Sequence, residues 1–364
     1  MYTIHTKDIF SQRPVLHLLR FYYFDIIEKT DWRFIMKIRN KIDLHLHIDG
    51  SVRPETVYEL SRKYKIKPEC TMTLDDIRNS MMISEGEYDP DFLTFEPALR
   101  IMQNKEGLTR VTKELVERLE KEGLIYAELR FAPQYHLRNG LTQKEVVEAV
   151  IEGLHQGLSS CKTLKANLIL CTMNHCDPND NHKENIETIV LAKEYLNHGV
   201  CAIDMAGYEE RMSEYSDLFE LAKELGIPAT THSEFTVEEA LKYGTTRIGH
   251  GYQAAQIDAL TQAVIEKGVT LEMCPDSSLS YDYHLTGDEH HPLAVLFKKG
   301  AKVTINTDNL TVLDTNLEFE YELVRKMGLT DEDIVLMNNY AIEASFADEK
   351  TKEKLLKIQP VLIQ

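Results

Sequence analysis

Residues 45–50 of this 364-residue chain are His-Leu-His-Ile-Asp-Gly, and they follow an apolar run that begins at Ile42. Side chains alternate between the two faces of a strand, so His45 and His47 point the same way and can reach one metal ion. A His-x-His pattern on a strand is, by itself, more often structural than metal-binding. The positions of the other polar residues decide which interpretation holds here.

Short apolar or β-branched runs alternate with helical patterns along the rest of the chain. The runs that we predict as strands are 42–48, 125–131, 166–173, 200–206, 228–232, 247–250, 269–274 and 302–307. Apolar spacing predicts helices at 109–122 and 216–226, and Thr-x-x-Glu capping boxes that begin at Thr142 and Thr236 predict two more. Eight strands alternating with helices, without a Gly-rich dinucleotide turn, predict an α/β fold: a single (β/α)8 TIM-type barrel, with a doubly wound open sheet as the alternative.

Metal-competent polar residues recur at the C-terminal ends of the predicted strands. His232 ends the fifth strand, His250 ends the sixth, and Asp308 follows the eighth. A barrel brings these ends to one mouth, so the sequence predicts a metal site there. Histidine and carboxylate ligands suit Zn²⁺ better than Mg²⁺ or Ca²⁺, which prefer oxygen. The fourth strand has no lysine that could bridge two ions, so we expect one zinc ion per chain.

The negative net charge of the chain argues against partners that are themselves negatively charged. The chain has 59 Asp and Glu against 41 Lys and Arg, a formal charge of −18. A surface this acidic repels phosphate backbones and anionic membranes, so nucleic acid and membranes are not expected as partners. No apolar run approaches the roughly 18–20 residues of a membrane span. The six cysteines are scattered, as in a protein of a reducing cytoplasm.

Residues 1–35 differ from the rest of the chain. They are rich in aromatic residues and have little helical or strand regularity, whereas Met36 lies just before the first convincing strand. We expect residues 1–35 to be an N-terminal appendage that is non-native or poorly ordered, and residues 36–364 to form the barrel.

An ordered set of motifs resembles the adenosine deaminase family of zinc-dependent hydrolases over roughly residues 40–350. The motifs are His-Leu-His-Ile-Asp-Gly-Ser at 45–51, Tyr-Ala-Glu-Leu-Arg-Phe-Ala-Pro at 126–133, Ile-Asp-Met-Ala-Gly at 203–207, Arg-Ile-Gly-His-Gly at 247–251, Glu-Met-Cys-Pro at 272–275, Asn-Thr-Asp at 306–308 and Ala-Ile-Glu-Ala-Ser-Phe at 341–346. The resemblance implies a purine nucleoside as substrate.

The resemblance also implies the roles of individual residues. The zinc ligands would be His45, His47, His232 and Asp308. His250 would orient the attacking water and stabilise the developing oxyanion, with Asp308 also taking part in catalysis. In the implied reaction water adds to C6 of the purine, a carboxylic acid protonates N1, and ammonia leaves.

Three further residues would bind the substrate if the resemblance holds. Gly207 would let the backbone approach N3 of the purine. Asp49 would hold the ribose, with His47 beside it.

The chain departs from the family pattern in three places. The usual His-Ala-Gly-Glu is here His-Ser-Glu-Phe at 232–235, which leaves Glu234 as the candidate proton shuttle in a shortened loop. Asn309 stands where a second aspartate usually bonds N7, and an amide can still donate that hydrogen bond. Tyr208 replaces an expected aspartate, and the sequence offers no interpretation of it.

Other polar residues have structural interpretations. Glu128 and Asp204 are expected to brace the barrel interior, and Arg130 is equally consistent with an ion-pair partner and with a functional role. The pair His290–His291 is expected to be exposed rather than to bind metal.

We therefore expect hydrolytic deamination of adenosine and 2′-deoxyadenosine in purine salvage, with the oligomeric state open. One alternative is a related aminohydrolase that acts on adenine or on a modified adenosine. Another is a catalytically weakened homologue that binds zinc and nucleoside, because the loop after His232 is shortened. AMP is less expected, since no basic cluster accompanies the motifs.

The first prediction concerns the N-terminal segment. A truncated chain that begins at Met36 is expected to fold and to keep the metal and the activity of the full chain, because the barrel pattern starts only after that residue. Thermal unfolding and metal content of the two forms test this. An insoluble truncated form beside a stable full-length chain would mean that the segment packs on the barrel.

Overall fold

A computed structural model describes residues 37–83, 92–280, 291–358 and 360–363. The predicted N-terminal appendage at 1–35 lies outside these residues, and so does His290. The first strand of the described chain, Lys37–Arg39, pairs antiparallel with Val361–Ile363 near the other end. This first strand therefore pairs with another part of residues 36–364, the segment that the sequence assigns to the barrel.

Eight parallel strands form the barrel that the sequence predicts. They are β1 Lys41–His47, β2 Leu124–Phe131, β3 Lys165–Asn174, β4 Val200–Gly207, β5 His232–Ser233, β6 Arg247–His250, β7 Thr270–Met273 and β8 Lys302–Ile305. The pairing runs in chain order from β1 to β4 and again from β5 to β8. This order is that of a (β/α)8 barrel and not of a doubly wound sheet, whose strand order reverses at a switch point.

Two isolated bridges join these halves into a closed barrel. Leu46 of β1 pairs with Asp308 just beyond β8, and the His47 amide donates to the Asp308 carbonyl at 2.7 Å. At the other seam, Ile203 of β4 pairs with Ala229, ahead of β5. The predicted fifth strand at 228–232 thus contributes its first half as a bridge, and regular strand begins only at His232.

Helices surround the barrel on the outside. They are α1 Pro54–Tyr64, α2 Leu74–Met81, α3 Glu96–Ile101, α4 Lys105–Lys121, α5 Gln143–Ser160, α6 His182–Glu194, α7 Ser216–Glu224, α8 Val237–Tyr243, α9 Gln253–Gln256, α10 Asp258–Lys267, α11 Pro275–Ser280, α12 Pro292–Lys298, α13 Leu317–Lys326, α14 Asp331–Ala344 and α15 Glu349–Ile358. Their apolar faces pack against the strands in a large shared core. Within the described chain, no helix has the length and apolarity to cross a membrane.

One of the two predicted capping boxes is confirmed and the other is wrong. At the start of α5 the Thr142 hydroxyl accepts from the Glu145 amide, and the Glu145 carboxylate accepts from the Thr142 amide. At the start of α8 the Thr236 side chain makes no cap, and its hydroxyl is oriented toward Glu209, donating to Oε2 at 2.8 Å. A carboxylate from the loop after β4 has replaced the local interaction.

Candidate metal centre

The four predicted metal ligands converge at the C-terminal mouth of the barrel. Nε2 of His232 lies 3.2 Å from Nε2 of His45 and 3.2 Å from Nε2 of His47. Oδ1 of Asp308 lies 3.7 Å and 3.6 Å from the same two β1 nitrogens. Ligands bound to zinc at about 2.0–2.1 Å in a tetrahedron lie about 3.3 Å apart, so this set fits one such ion.

The carboxylates on the far side of the imidazoles favour a cation at the mouth. Nδ1 of His45 lies 2.8 Å from Oε2 of Glu272, and Nδ1 of His232 lies 2.9 Å from Oδ2 of Asp204. Glu272 accepts the Nδ1 proton of His45, so Nε2 of His45 directs its lone pair into the mouth. The Asp204 carboxylate beside Nδ1 of His232 favours the same arrangement there, and a cation between the Nε2 atoms would be bound by both lone pairs.

Beneath the histidines, the barrel interior holds a fully buried ionic network. Arg130 contacts Oδ2 of Asp204 at 3.0 Å and Oε2 of Glu272 at 2.7 Å. Arg247 contacts Oε1 of Glu272 at 2.6 Å and Oε2 of Glu128 at 2.5 Å. The predicted structural roles of Glu128 and Asp204 are thereby confirmed, and Arg130, for which the sequence left two roles open, is an ion-pair partner.

Neighbouring positive groups keep the carboxylates of Glu272 and Asp204 ionised. Burial alone would raise the pKa of Glu272, but Arg130 and Arg247 hold it well below the usual range. Burial likewise opposes ionisation of Asp204, and the neighbouring His232 and Arg130 lower its pKa. The ionised Glu272 accepts the Nδ1 proton of His45, and the ionised Asp204 lies beside Nδ1 of His232, so the network favours Nε2 as the nitrogen that each imidazole offers to a metal.

Asp308 is oriented by a residue that the sequence did not single out. The Ser277 hydroxyl donates to Oδ2 of Asp308 at 2.7 Å, which leaves Oδ1 toward the histidines. The backbone of Asp308 is left-handed, with φ of 58°. The Ser277 bond and this backbone conformation direct the carboxylate of Asp308 into the mouth rather than along the strand.

His250 presents an unprotonated nitrogen to the same space. Its Nδ1 lies 3.0 Å from the Tyr252 hydroxyl, which donates its own proton to the Cys274 carbonyl at 3.1 Å. Nδ1 is therefore the donor and Nε2 an acceptor. Burial lowers the pKa of His250 well below its usual value, which keeps the ring neutral.

Glu234 reaches the site despite the shortened loop. Oε1 of Glu234 lies 4.0 Å from Nε2 of His250, and its side chain is 20% exposed. Burial, with Glu209 and Asp308 adding like charge, raises the pKa of Glu234 to about 9. In the structure this carboxyl is therefore protonated near neutral pH and able to donate a proton.

One cavity of about 1010 Å³ connects the predicted site residues. Its walls include His47, Asp49, Gly207, His232, Glu234, His250, Asp308 and Asn309. His45 is the one predicted site residue that does not line it, since it is fully buried below. Burial raises the pKa of Asp49 to about 6.

Backbone geometry supports the substrate-contact positions. Gly207 has φ of 100°, and a Cβ there would lie 2.5 Å from the Asn174 carbonyl oxygen, so only glycine fits. A Cβ on Gly50 would lie 1.8 Å from Oδ1 of Asn309. Because Oδ1 packs against Gly50, the amide nitrogen of Asn309 is the atom left for the cavity.

One expectation about histidine was wrong. His291 is fully buried rather than exposed. Its Nδ1 accepts from the Leu293 amide at 3.1 Å, and its Nε2 lies 2.6 Å from the Ser278 hydroxyl. His291 caps α12, and it belongs to none of the metal-competent groups among the described residues.

Comparisons with known proteins agree with this geometry. Residues 40–359 match the adenosine deaminase family. The chain is 36% identical over 329 residues to the adenosine deaminase of Haemophilus ducreyi, covering 86% of this chain and 94% of the relative. It is 39% identical over 331 residues to that of Clostridium acetobutylicum, covering 87% and 96%. Among solved structures, an Arabidopsis N6-methyl-AMP deaminase superposes with a TM-score of 0.75 at 26% identity, covering 88% and 97%.

The second prediction concerns Asp204. Asp204→Asn is expected to weaken metal binding about 10- to 100-fold, because the carboxylate that fixes the tautomer of His232 is lost. It should also lower the free energy of unfolding by about 1–3 kcal/mol, since Arg130 keeps a buried charge with less compensation. Chelator competition and thermal unfolding measure the two effects.

Asp217→Asn is the matched control. Asp217 is 53% exposed and pairs with His182 on the surface. A metal affinity of Asp204→Asn equal to that of the control would mean that His232 is oriented without Asp204.

Proposed function

We propose, from the premise that the chain belongs to the adenosine deaminase family, that it hydrolyses the exocyclic amine of adenosine and 2′-deoxyadenosine to give inosine or 2′-deoxyinosine and ammonia. The observation that carries the proposal is the meeting of the metal-ligand atoms with Glu234 and His250 in one cavity. A role in cytoplasmic purine salvage follows from the same premise.

The metal is proposed to be a single zinc ion held by His45, His47, His232 and Asp308. Three imidazole nitrogens and one carboxylate oxygen are the donor set that zinc favours over the all-oxygen shells of Mg²⁺ and Ca²⁺. Zinc, when bound, supplies Lewis acidity that lowers the pKa of a water molecule toward neutrality.

His250 and Glu234 are proposed to have different roles in proton transfer. Nε2 of His250 is an acceptor, so it can orient the attacking water by accepting a hydrogen bond from one O–H. Once it has taken up that proton, the same nitrogen can donate to the oxygen and stabilise the charge that develops there. The protonated carboxyl of Glu234 can donate to N1 as water adds at C6. The carboxylate that remains can take a proton from the added water and pass it to the departing amine, which leaves as ammonia. Its position in the cavity supports an active enzyme over the weakened homologue.

The remaining cavity residues are proposed to hold the nucleoside. The Gly207 backbone would approach N3, and Asp49 and His47 would bind the ribose. Asn309 would donate its amide hydrogen to N7. These contacts would fix the purine with C6 toward the metal ligands.

The charge of the cavity supports a nucleoside over a nucleotide. Among the described lining residues the single arginine is Arg138, and both of its terminal nitrogens are held by Glu96 at 2.9 and 2.7 Å. Asp49, Glu209 and Glu234 add carboxyl groups to the walls. A 5′-phosphate would meet a paired arginine and several acids, so AMP and N6-methyl-AMP are expected to be poor substrates, although a structural neighbour acts on the latter.

The third prediction tests the function directly. With one zinc ion per chain, the protein is expected to convert adenosine to inosine, measured by the loss of adenosine absorbance and by product analysis. Adenine, N6-methyladenosine, AMP and N6-methyl-AMP serve as competing substrates. His45→Ala is expected to lose both zinc and turnover. Two metal ions per chain, or full activity after exhaustive chelation, would contradict the zinc assignment.

The fourth prediction concerns Glu234. Glu234→Gln is expected to lose about 10²–10⁴-fold in rate while keeping zinc, because an amide cannot shuttle a proton. Glu238→Gln, in the first turn of α8, is the control for altered charge near the loop. Normal turnover by Glu234→Gln would place the shuttle elsewhere, and zinc and adenosine binding without inosine in the unmutated protein would favour the weakened homologue.

The fifth prediction concerns N7 of the purine. The 7-deaza analogue of adenosine is expected to bind more weakly by about 1–3 kcal/mol, the cost of leaving the Asn309 donor unpaired. Asn309→Asp must be protonated to donate, so its affinity for substrate should fall as the pH rises through the pKa of the new carboxyl. Equal affinity for adenosine and its 7-deaza analogue would remove this contact.

A further inference from the structure

Glu209 lies in the loop after β4, and its carboxylate receives three donors from the loop after β5. The amide of Glu234 donates to Oε1, the amide of Phe235 donates to Oε2 at 2.9 Å, and the Thr236 hydroxyl donates to Oε2 at 2.8 Å. These donors are consecutive residues, so one side chain holds the whole segment that carries the proposed proton shuttle.

Glu209 is itself held on both sides by Asn174, the last residue of β3. The Tyr208 amide donates to the Asn174 carbonyl at 3.1 Å. Nδ2 of Asn174 donates to the Glu210 carbonyl at 3.0 Å. The residues before and after Glu209 are therefore bound to a buried strand end, so the backbone from which the Glu209 side chain extends is held in place.

The opposite side of the Glu234 backbone is also anchored. Its carbonyl accepts from the Gln253 amide at 2.8 Å, beyond β6. The Glu234 amide bound to Glu209 and the Glu234 carbonyl bound to Gln253 belong to the two peptide planes that flank the Glu234 Cα, so both planes are held. The direction in which the Glu234 side chain leaves the backbone is then set.

We propose that Glu209 is a positioning residue that aims the Glu234 carboxyl at the reacting purine. The inference rests on the proposed shuttle role of Glu234 and extends it to a residue that does not itself react. It accounts for how a loop one residue shorter than expected still brings its carboxyl into the cavity, and for why Thr236 gives its hydroxyl to Glu209 instead of capping α8.

The chemistry of the contact requires a carboxylate. Two oxygens with acceptor lone pairs receive two N–H groups and one O–H group at once. A glutamine has one acceptor oxygen and would turn an NH2 group toward at least one of these donors. Glu209→Gln therefore keeps the size of the side chain but cannot accept all three hydrogen bonds.

The first experiment compares the zinc-loaded Glu209→Gln and Glu210→Gln enzymes. Glu210 carries the same charge one residue later, and its side chain is exposed. Glu209→Gln should lower kcat for adenosine about 10- to 100-fold, since a misplaced acid loses part of its 10²–10⁴-fold contribution. KM should stay within about threefold, because the ribose and N7 contacts are intact. Glu210→Gln should keep the parent kcat.

Hydrogen exchange provides a readout that does not depend on activity. The amides of Glu234 and Phe235 should exchange faster in Glu209→Gln than in Glu210→Gln, while those of β5 and β6 stay protected. Unchanged exchange would mean that the loop holds its conformation without Glu209, and that outcome overturns the proposal.

A double-mutant cycle with Glu234→Gln separates positioning from any independent effect. If Glu209 acts through Glu234, adding Glu209→Gln to Glu234→Gln should change kcat by less than about twofold. A full additional loss would overturn the positioning role and leave the shuttle assignment standing. Normal activity of Glu234→Gln alone would instead reject the shuttle, so the two failures are distinguishable.

Discussion

The buried ionic network inside the barrel is the constraint on which the site depends. Moving charged groups out of water costs several kcal/mol per ion even after relaxation, so Arg130 and Arg247 are tolerated only because Glu272, Asp204 and Glu128 surround them. The pairing is continuous, since Glu272 bridges the two arginines with its two oxygens. The burial of these charges lowers the free energy of unfolding, and in return the carboxylates beside the histidines are held in fixed positions.

The network also links the fold to the chemistry. The barrel strands are held together partly by buried ion pairs. Arg130 on β2 contacts carboxylates on β4 and β7, and Arg247 on β6 contacts carboxylates on β7 and β2. Of the same carboxylates, Glu272 accepts the Nδ1 proton of His45, and Asp204 lies beside Nδ1 of His232. Strand positions, imidazole tautomers and the direction of the metal-facing lone pairs are thus one coupled arrangement, and a change in any carboxylate acts on all three.

The fold and the meeting of the four candidate metal ligands could be predicted because their signals are local or topological. Strand alternation places His45 and His47 on one face, and a parallel barrel brings all strand ends together, so the positions of His232 and Asp308 follow from the strand count. The roles of Ser277 and Glu209 could not be predicted from periodicity, because each depends on a partner far along the chain. Thr236 failed as a cap, and His291 as a surface residue, for the same reason: a tertiary partner took the side chain.

The metal-ligand side chains are held by the barrel strands, whereas Glu234 is held by contacts between loops. Substitutions in the two parts of the site should therefore have different effects. The metal ligands leave strands or strand ends that the barrel hydrogen bonds and the buried network hold, so their geometry is tied to the stability of the whole domain. Glu234 leaves a loop that is held by Glu209 on one side and by Gln253 on the other, contacts that lie outside the core. A substitution in the network must therefore alter stability and metal affinity together, whereas one in the loop can alter the rate alone. Loops accept insertions and deletions more readily than strands. A deaminase of this architecture can therefore lose a residue beside its proton-donating carboxyl and keep its function. The condition is that a neighbouring loop supplies the hydrogen bonds that restore the direction of that carboxyl.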